Sequence, residues 1–262
     1  MVYPNERSWA ETDYGLAYKK FKERFDNAAD FEFFFVGTID DEVMEEFAAK
    51  YIASLPSDNK REKAVDIGYR VKIKGNTKKI VNKGVEQFSF VVISYIGDTT
   101  YDPKEATALE ALGGILTIKL LENLREKASG VYTVDASGSI ENVPYGLYKF
   151  VIQFPCGPEN AKKLTKAALH ELQQIIDYGP EAADLAKYKE AELLEHRKNM
   201  KENQPWLDNL VKTYTYGRSA EEILEFEDRV KAITLKDVQN VAKKYLDKNK
   251  SKFVATLMPE KN

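Results

Sequence analysis

Arg125 and Tyr132 are the two residues of this sequence whose types and spacing best suit joint chemistry. The stretch Leu112 to Ser137, LGGILTIKLLENLREKASGVYTVDAS, reads as an amphipathic helix that stops at Ser129-Gly130 and passes at once into a strand. Arg125 and Tyr132 flank that turn, so one guanidinium and one phenol can be aimed at the same point. Both are hydrogen-bond donors suited to an oxygen on which negative charge develops, and a helix end is a rigid mount for them. The bland alternative pairs Arg125 with Glu122 or a neighbouring acid on the helix surface and makes Tyr132 an ordinary strand aromatic.

Other reactive side chains form no recognisable constellation. The two histidines, His170 in ALHELQQ and His196 in LLEHRKN, lie 26 residues apart. Glu192 and His196 are one helical turn apart and share a face, but two ligands are too few for a zinc site. A charged helix face in solvent accounts for them, and His170 reads as a surface or partly packed residue. Ser137-Gly138-Ser139 lacks the strand-to-helix elbow that activates a serine. Gly113-Gly114 lies inside a helical pattern with no phosphate-loop continuation, so close helix packing is the expected reason for both glycines. Cys156, beside Pro155 at a strand end, has no evident base and reads as an inert, half-buried thiol. The acidic pairs Asp40-Asp41 and Glu45-Glu46 suit a helix N-terminus and its solvent face.

The elements that would position these residues follow from periodicity. Tyr14, Tyr18, Phe21 and Phe25 recur at spacings of three and four and predict a helix with one buried stripe. FEFFFVG, Phe31 to Gly37, predicts an aromatic strand that must find cover or self-associate. Thr38 to Asp41 then offers N-caps for a helix to about Ser54. Pro56 to Lys79 is polar and weakly patterned, a linker by composition. Strands are expected over Lys79 to Gly84 and Phe88 to Ile96, the second central in a sheet because it is almost wholly apolar. Pro103 or Lys104 opens a helix to about Lys127. Strands Tyr132 to Ile140 and Leu147 to Phe154 flank the turn Asn142 to Gly146 as an antiparallel hairpin. Pro158-Glu159 opens a helix closed by Gly179-Pro180, and helical pattern runs from Glu181 to Leu246 with breaks near Asn203 to Pro205 and at Gly217. Lys252 to Met258 is a last strand.

The expected class is α+β, an antiparallel sheet with helices packed on one face, preceded by a partial lobe. Residues 1–60 supply only helix, strand, helix, too little to form a core; 61–78 link; and 79–262 hold a complete lobe. FEFFFVGTIDDEVMEEFAAKYIASL and YKFVIQFPCGPENAKKLTKAALHELQQI share a strand, glycine, amphipathic-helix order, which suggests a duplicated lobe. With 39 basic against 42 acidic residues the net charge is −3, which offers no electrostatic footprint for nucleic acid. No apolar run approaches the roughly 20 residues of a membrane span. The first residues carry charges where a secretory signal would be apolar, so an export signal would lie in a longer precursor. One cysteine excludes an intrachain disulfide framework and a cysteine-based zinc cluster.

KGVEQFSFVVISYIG, then a proline-started helix, then LLENLREKASGVYTVDASGSI and YGLYKFVIQFPCGPEN resemble the C-terminal, non-zinc-binding lobe of the M16 (pitrilysin/insulinase-like) zinc metallopeptidases. DFEFFFVGTIDDEVMEEFAAKYIASLP resembles the closing strand and helix of the lobe before it, so the likeness covers nearly the whole chain. In that family, lobes pair into two halves that close over a peptide. The resemblance implies that Arg125 and Tyr132, seven residues apart as in the family's Arg/Tyr pair, hold substrate near a zinc carried by the other half. The HxxEH motif that binds this zinc is absent from the chain, so it binds no cofactor itself on this reading and is not catalytic alone. The implied partners are a peptide substrate and an HxxEH half, in the same protein or a partner subunit. A periplasmic or exported bacterial parent follows by analogy only. Two other functions fit the residues: a catalytically inactive M16-fold binding or assembly subunit, and an unrelated α+β interaction module.

Overall fold

The computed structural model describes residues 5–63, 65–127 and 133–260, the side chains of 124–127 excepted. The chain divides into two units, Met1–Val65 and Asp66–Asn262.

The first unit carries α1 (Glu6–Ala10), α2 (Tyr14–Phe25) and α3 (Asp41–Phe47), the last capped by Asp40 and continued by a π-helical turn over Ala48–Ile52. None of its described residues is buried. The stripe expected to be buried on α2 is open instead, with Tyr14 82% exposed and Tyr18, Phe21 and Phe25 each more than half exposed. The aromatic strand expected over residues 31–37 does not form: the segment is irregular, with Phe33 and Phe35 about half exposed. A strand needs a neighbour for its ladder, and the described part of this unit supplies none. Its cohesion comes from ring contacts such as Phe21 on Phe25, 4.6 Å between centroids, and from polar ties such as the Arg24–Glu62 ion pair at 2.6 Å.

The second unit is built on a five-stranded sheet of β1 (Asn76–Asn82), β2 (Ser89–Asp98), β3 (Asp135–Glu141), β4 (Leu147–Cys156) and β5 (Lys252–Met258), in the order β1-β5-β2-β4-β3. The near-continuous apolar β2 is central, as its composition required. Its pairs with β4 and β5 and the β3–β4 hairpin are antiparallel, while β1 adds to β5 in parallel, starting three residues earlier than expected. Side chains alternate across the sheet: Val91, Ile93 and Tyr95 of β2 and Phe150, Ile152 and Phe154 of β4 are at most 2% exposed and face the helices.

That face is covered first by α4 (Pro103–Lys127), capped by the Asp102 carboxylate on the Glu105 amide at 2.8 Å. Leu109, Leu112, Ile115, Leu116 and Leu120 recur at helical spacing with no exposed surface, each contributing about 1.5–3 kcal/mol by burial. Beside α4 lies α5 (Ala161–Tyr178), whose stripe Leu164, Ala168, Leu172 and Ile175 is also buried; Gly179 ends it at φ 83°. Helices α6 (Ala182–Asn199), α7 (Asn203–Thr215) and α8 (Phe226–Ala232) follow, then α9 (Leu235–Leu246), opened by a Thr234/Asp237 capping box and packed on α4 and α5. The break expected at Asn203 to Pro205 lies just before it, at 200–202, and Pro205 sits in the first turn of α7, where its missing N–H costs no hydrogen bond.

Candidate functional site

Arg125 lies in the last turn of α4, two residues before the helix ends at Lys127. Its side chain and residues 128–132, Tyr132 among them, lie outside the described residues. What the structure defines is what lies on either side of that segment, the C-terminal half of α4 and the start of β3.

The two elements approach at backbone distance. A Cβ added to Gly113 would stand 2.7 Å from the Ala136 carbonyl oxygen and 2.9 Å from the Ser137 Cα, and one added to Gly138 would stand 2.7 Å from the Leu109 carbonyl oxygen. Gly114 meets the ring of Tyr188 on α6 in the same way, at 2.4 Å for the added Cβ. The paired glycines of α4 are therefore packing residues, as their sequence context indicated. Four residues on from Gly113, the Thr117 hydroxyl accepts from the Ala136 N–H at 2.9 Å and donates to the Ala136 carbonyl at 3.3 Å. Because β3 is an edge strand, paired only with β4, this hydroxyl meets backbone groups that no further strand would reach.

Ion pairs fasten the same half of α4 to α6. Lys119 contacts Glu181 and, at 3.1 Å, the carboxylate of Asp184, which is 2% exposed; Lys187 contacts Glu122 at 3.0 Å. The Lys119–Asp184 contact is ionic and not a well-directed hydrogen bond, since that Asp184 oxygen has no hydrogen-bond partner. Burial opposes the Lys119 charge, but the two carboxylates outweigh it and raise its pKa. Glu122, the sequence's simplest partner for Arg125, is thus engaged by Lys187. Sequence reasoning missed Thr117, Lys119 and Asp184, which carry no motif; their roles depend on which neighbour each faces.

The remaining candidates are dispersed. His170 is exposed on α5, and His196 stacks on Phe226 at 4.4 Å, with burial lowering its pKa. Among the described residues no group of three or more His, Cys, Asp or Glu side chains is arranged to hold a metal, so zinc has no fitting donor set there. Ser137, Gly138 and Ser139 are strand residues of β3. Cys156 is 4% exposed, and burial pushes its thiol up to about 11. No helix among the described residues is long and apolar enough to cross a membrane.

Comparison with known proteins agrees with this architecture. The family model for the peptidase M16 inactive domain matches residues 17–192. A zinc protease PQQL-like protein of Arabidopsis thaliana is 28% identical over 116 residues, covering 42% of this chain and 12% of that protein. A probable zinc protease PqqL of Escherichia coli is 22% identical over 240 residues, covering 91% and 26%. The solved periplasmic protease PqqL from Escherichia coli superposes with a TM-score of 0.68 at 20% identity, over 86% of this chain and 25% of that one. The chain thus spans about a quarter or less of the length of these relatives.

Proposed function

The chain belongs to the peptidase M16 inactive-domain family, and from that membership we propose that it is the substrate-binding C-terminal part of a zinc-dependent metalloendopeptidase, not catalytic by itself. Zinc, held by an HxxEH segment elsewhere in the parent protein or in a partner subunit, would supply the hydrolytic chemistry. This chain's part is to hold the peptide. Arg125 and Tyr132 are the residues assigned to that task, as donors to a peptide carbonyl or to the oxygen that becomes negative during hydrolysis.

The observation that carries this reading is the joint between α4 and β3. Glycines at backbone contact and the Thr117 hydroxyl hold α4 to β3, and the Lys119–Asp184 pair holds α4 to α6; a donor must be held to a fraction of an ångström to act on a transition state. On the same reading residues 1–60 are the tail of a preceding lobe, 61–78 the link and 79–262 a complete lobe. The open aromatic surface of the first unit, including Phe33 and Phe35, is then covered by another part of the parent or by a second copy through residues 31–37. A periplasmic or exported location is proposed from the relative in Escherichia coli.

The test uses the parent protein with its catalytic half. Arg125→Ala and Tyr132→Phe should each lower kcat/KM on a peptide substrate by about 10²–10³-fold, the usual effect of losing one such donor, with zinc content and melting temperature unchanged. Turnover within about threefold of the unmodified protein would remove the assignment. The 262-residue chain alone is expected to bind no stoichiometric zinc and to cleave no peptide. One zinc per chain together with turnover would overturn the division of labour.

A further inference from the structure

Toward the opposite end of α4 from Arg125, about 22 Å along the helix axis at 1.5 Å per residue from Glu110, the second unit carries a solvent-open cavity of about 310 Å³. That volume lies at the lower end of the range for small-molecule sites. Glu110 on α4 and Glu192 on α6 line it, and so do Lys212 on α7 and Arg218 just beyond it, with Tyr101 and Tyr216 as aromatic walls.

Arg218 is held by ring faces and not by a carboxylate. Its guanidinium carbon lies 4.0 Å from the centroid of Tyr101 and 4.8 Å from that of Tyr216, and its Nε is buried without a hydrogen-bond partner. Stacking of this kind fixes the plane of the guanidinium and leaves its edge free to take a planar acceptor. Two further cations are paired, Arg229, which also lines the cavity, with Glu225 at 3.4 Å and Arg197 with Glu227 at 2.8 Å. Among the described residues, Glu110, Glu192, Lys212 and Arg218 form no ion pair with any side chain.

Glu110, Glu192, Lys212 and Arg218 therefore face one cavity without neutralising each other directly; Glu141, Glu195, Glu222 and Arg229 line it as well, so carboxylates outnumber cations there. They do sense one another: Glu110 is exposed to solvent at the cavity, desolvation by the surrounding protein raises its pKa, Lys212, Arg229 and Arg218 pull it down, and Glu192 adds to the rise. Burial likewise raises Glu192. A simple cation entering this space would leave Lys212 and Arg218 without a counter-charge, and a simple anion would meet the excess of carboxylates. A ligand with an ammonium at one end and a carboxylate at the other satisfies both sets at once and leaves the net charge of the cavity unchanged.

We propose that this cavity is a binding site for a small zwitterion, an α-amino acid or short peptide with both termini free, whose carboxylate meets Arg218 and Lys212 and whose ammonium meets Glu110 and Glu192. The tyrosine walls, together with Phe226, offer apolar surface to its side chain. The inference stands on the cavity alone and does not depend on the peptidase reading.

Titration of the full chain with leucine and glycyl-leucine, followed by calorimetry and by amide chemical shifts, tests it. At least one of the two probes should bind saturably at or below roughly 10 mM, shifting amides of α6, α7 and residues 216–218. Capping either terminus of glycyl-leucine, by N-acetylation or by C-amidation, should weaken binding by about tenfold or more, as should Arg218→Lys or Glu192→Gln, the second variant serving if the first melts early. Doubly capped glycyl-leucine binding as well as the free form would overturn the proposal, and so would methylammonium or acetate alone competing as well as the zwitterion. Absence of saturable binding by both probes at that concentration would also overturn it.

Discussion

Thr117→Val isolates the bridge between α4 and β3. Valine keeps nearly the shape of threonine and replaces the hydroxyl by a methyl group, so it removes both hydrogen bonds to Ala136, which is 5% exposed. A buried backbone group left without a partner costs about 1–3 kcal/mol. The 2.9 Å bond from the Ala136 N–H weighs most, and the 3.3 Å bond to its carbonyl adds less. The extra methyl offsets about 0.8 kcal/mol. The net expectation is a loss of about 1.5–3 kcal/mol, which at a urea m-value of about 3 kcal/mol/M lowers the unfolding midpoint by about 0.5–1 M. Circular dichroism of the second unit's helices reports the transition, and an unchanged m-value confirms that stability alone has moved. Thr117→Ser retains the hydroxyl and should lose less than about 1 kcal/mol. If the valine variant matches the serine variant or the unmodified chain to within about 0.5 kcal/mol, the hydroxyl does not carry the joint.

Gly113→Ala gains about 1 kcal/mol in helix propensity but drives a Cβ to 2.7 Å from the Ala136 oxygen. Overpacking of about 1–3 kcal/mol should make it net destabilising in the same urea assay, and a more stable variant would refute the close approach. Cys156, raised by burial from 9.0 to about 11, should react with a thiol-specific disulfide reagent about 100-fold more slowly in the native chain than in denaturant, since two units of pKa remove that factor in thiolate; equal rates would show the thiol to be accessible. Glu227 is held at about 2, against 4.5 for a free glutamate, by hydrogen bonds from Arg197 and Lys231. Its folded-state pKa is depressed, so its contribution to stability is present above pH 4.5 and is lost as pH falls toward 2. Glu227→Gln should therefore flatten the stability-versus-pH curve in that window, and an unchanged slope would show that the pair is screened by solvent.

The parts of the fold legible in the sequence are those whose burial is settled within one element. Strand β2 announced its central place by an apolar run, α4 by Pro103 and a leucine stripe, and α5 by its stripe and the Gly179 stop. The segment 31–36 shows the limit: its composition is that of a buried strand, yet strand formation depends on a partner that local pattern does not encode. The parallel pairing of β1 with β5 joins segments about 170 residues apart, beyond the reach of periodicity. At the candidate site, Arg125 and Tyr132 are proposed from their positions around an expected turn, which lies outside the described residues. Thr117 and Asp184 were missed, because a threonine and an aspartate in helices have the same local signature whether they face solvent or a neighbouring backbone. The charged cavity was invisible for the same reason, its charged residues being spread over α4, β3, α6, α7, α8 and the segment between α7 and α8.

The place of β5 between β1 and β2 has a consequence for how the molecule comes into being. The hairpin β3–β4, its neighbour β2 and helix α4 can associate as soon as β4 and α5 have left the ribosome, because every contact among them lies between residues 89 and 178. Strand β1, made before all of them, has no ladder until residues 252–258 arrive to slot in beside it. The earliest strand of the sheet is thus the last to be joined, and until β5 emerges β2 offers a bare edge to its surroundings.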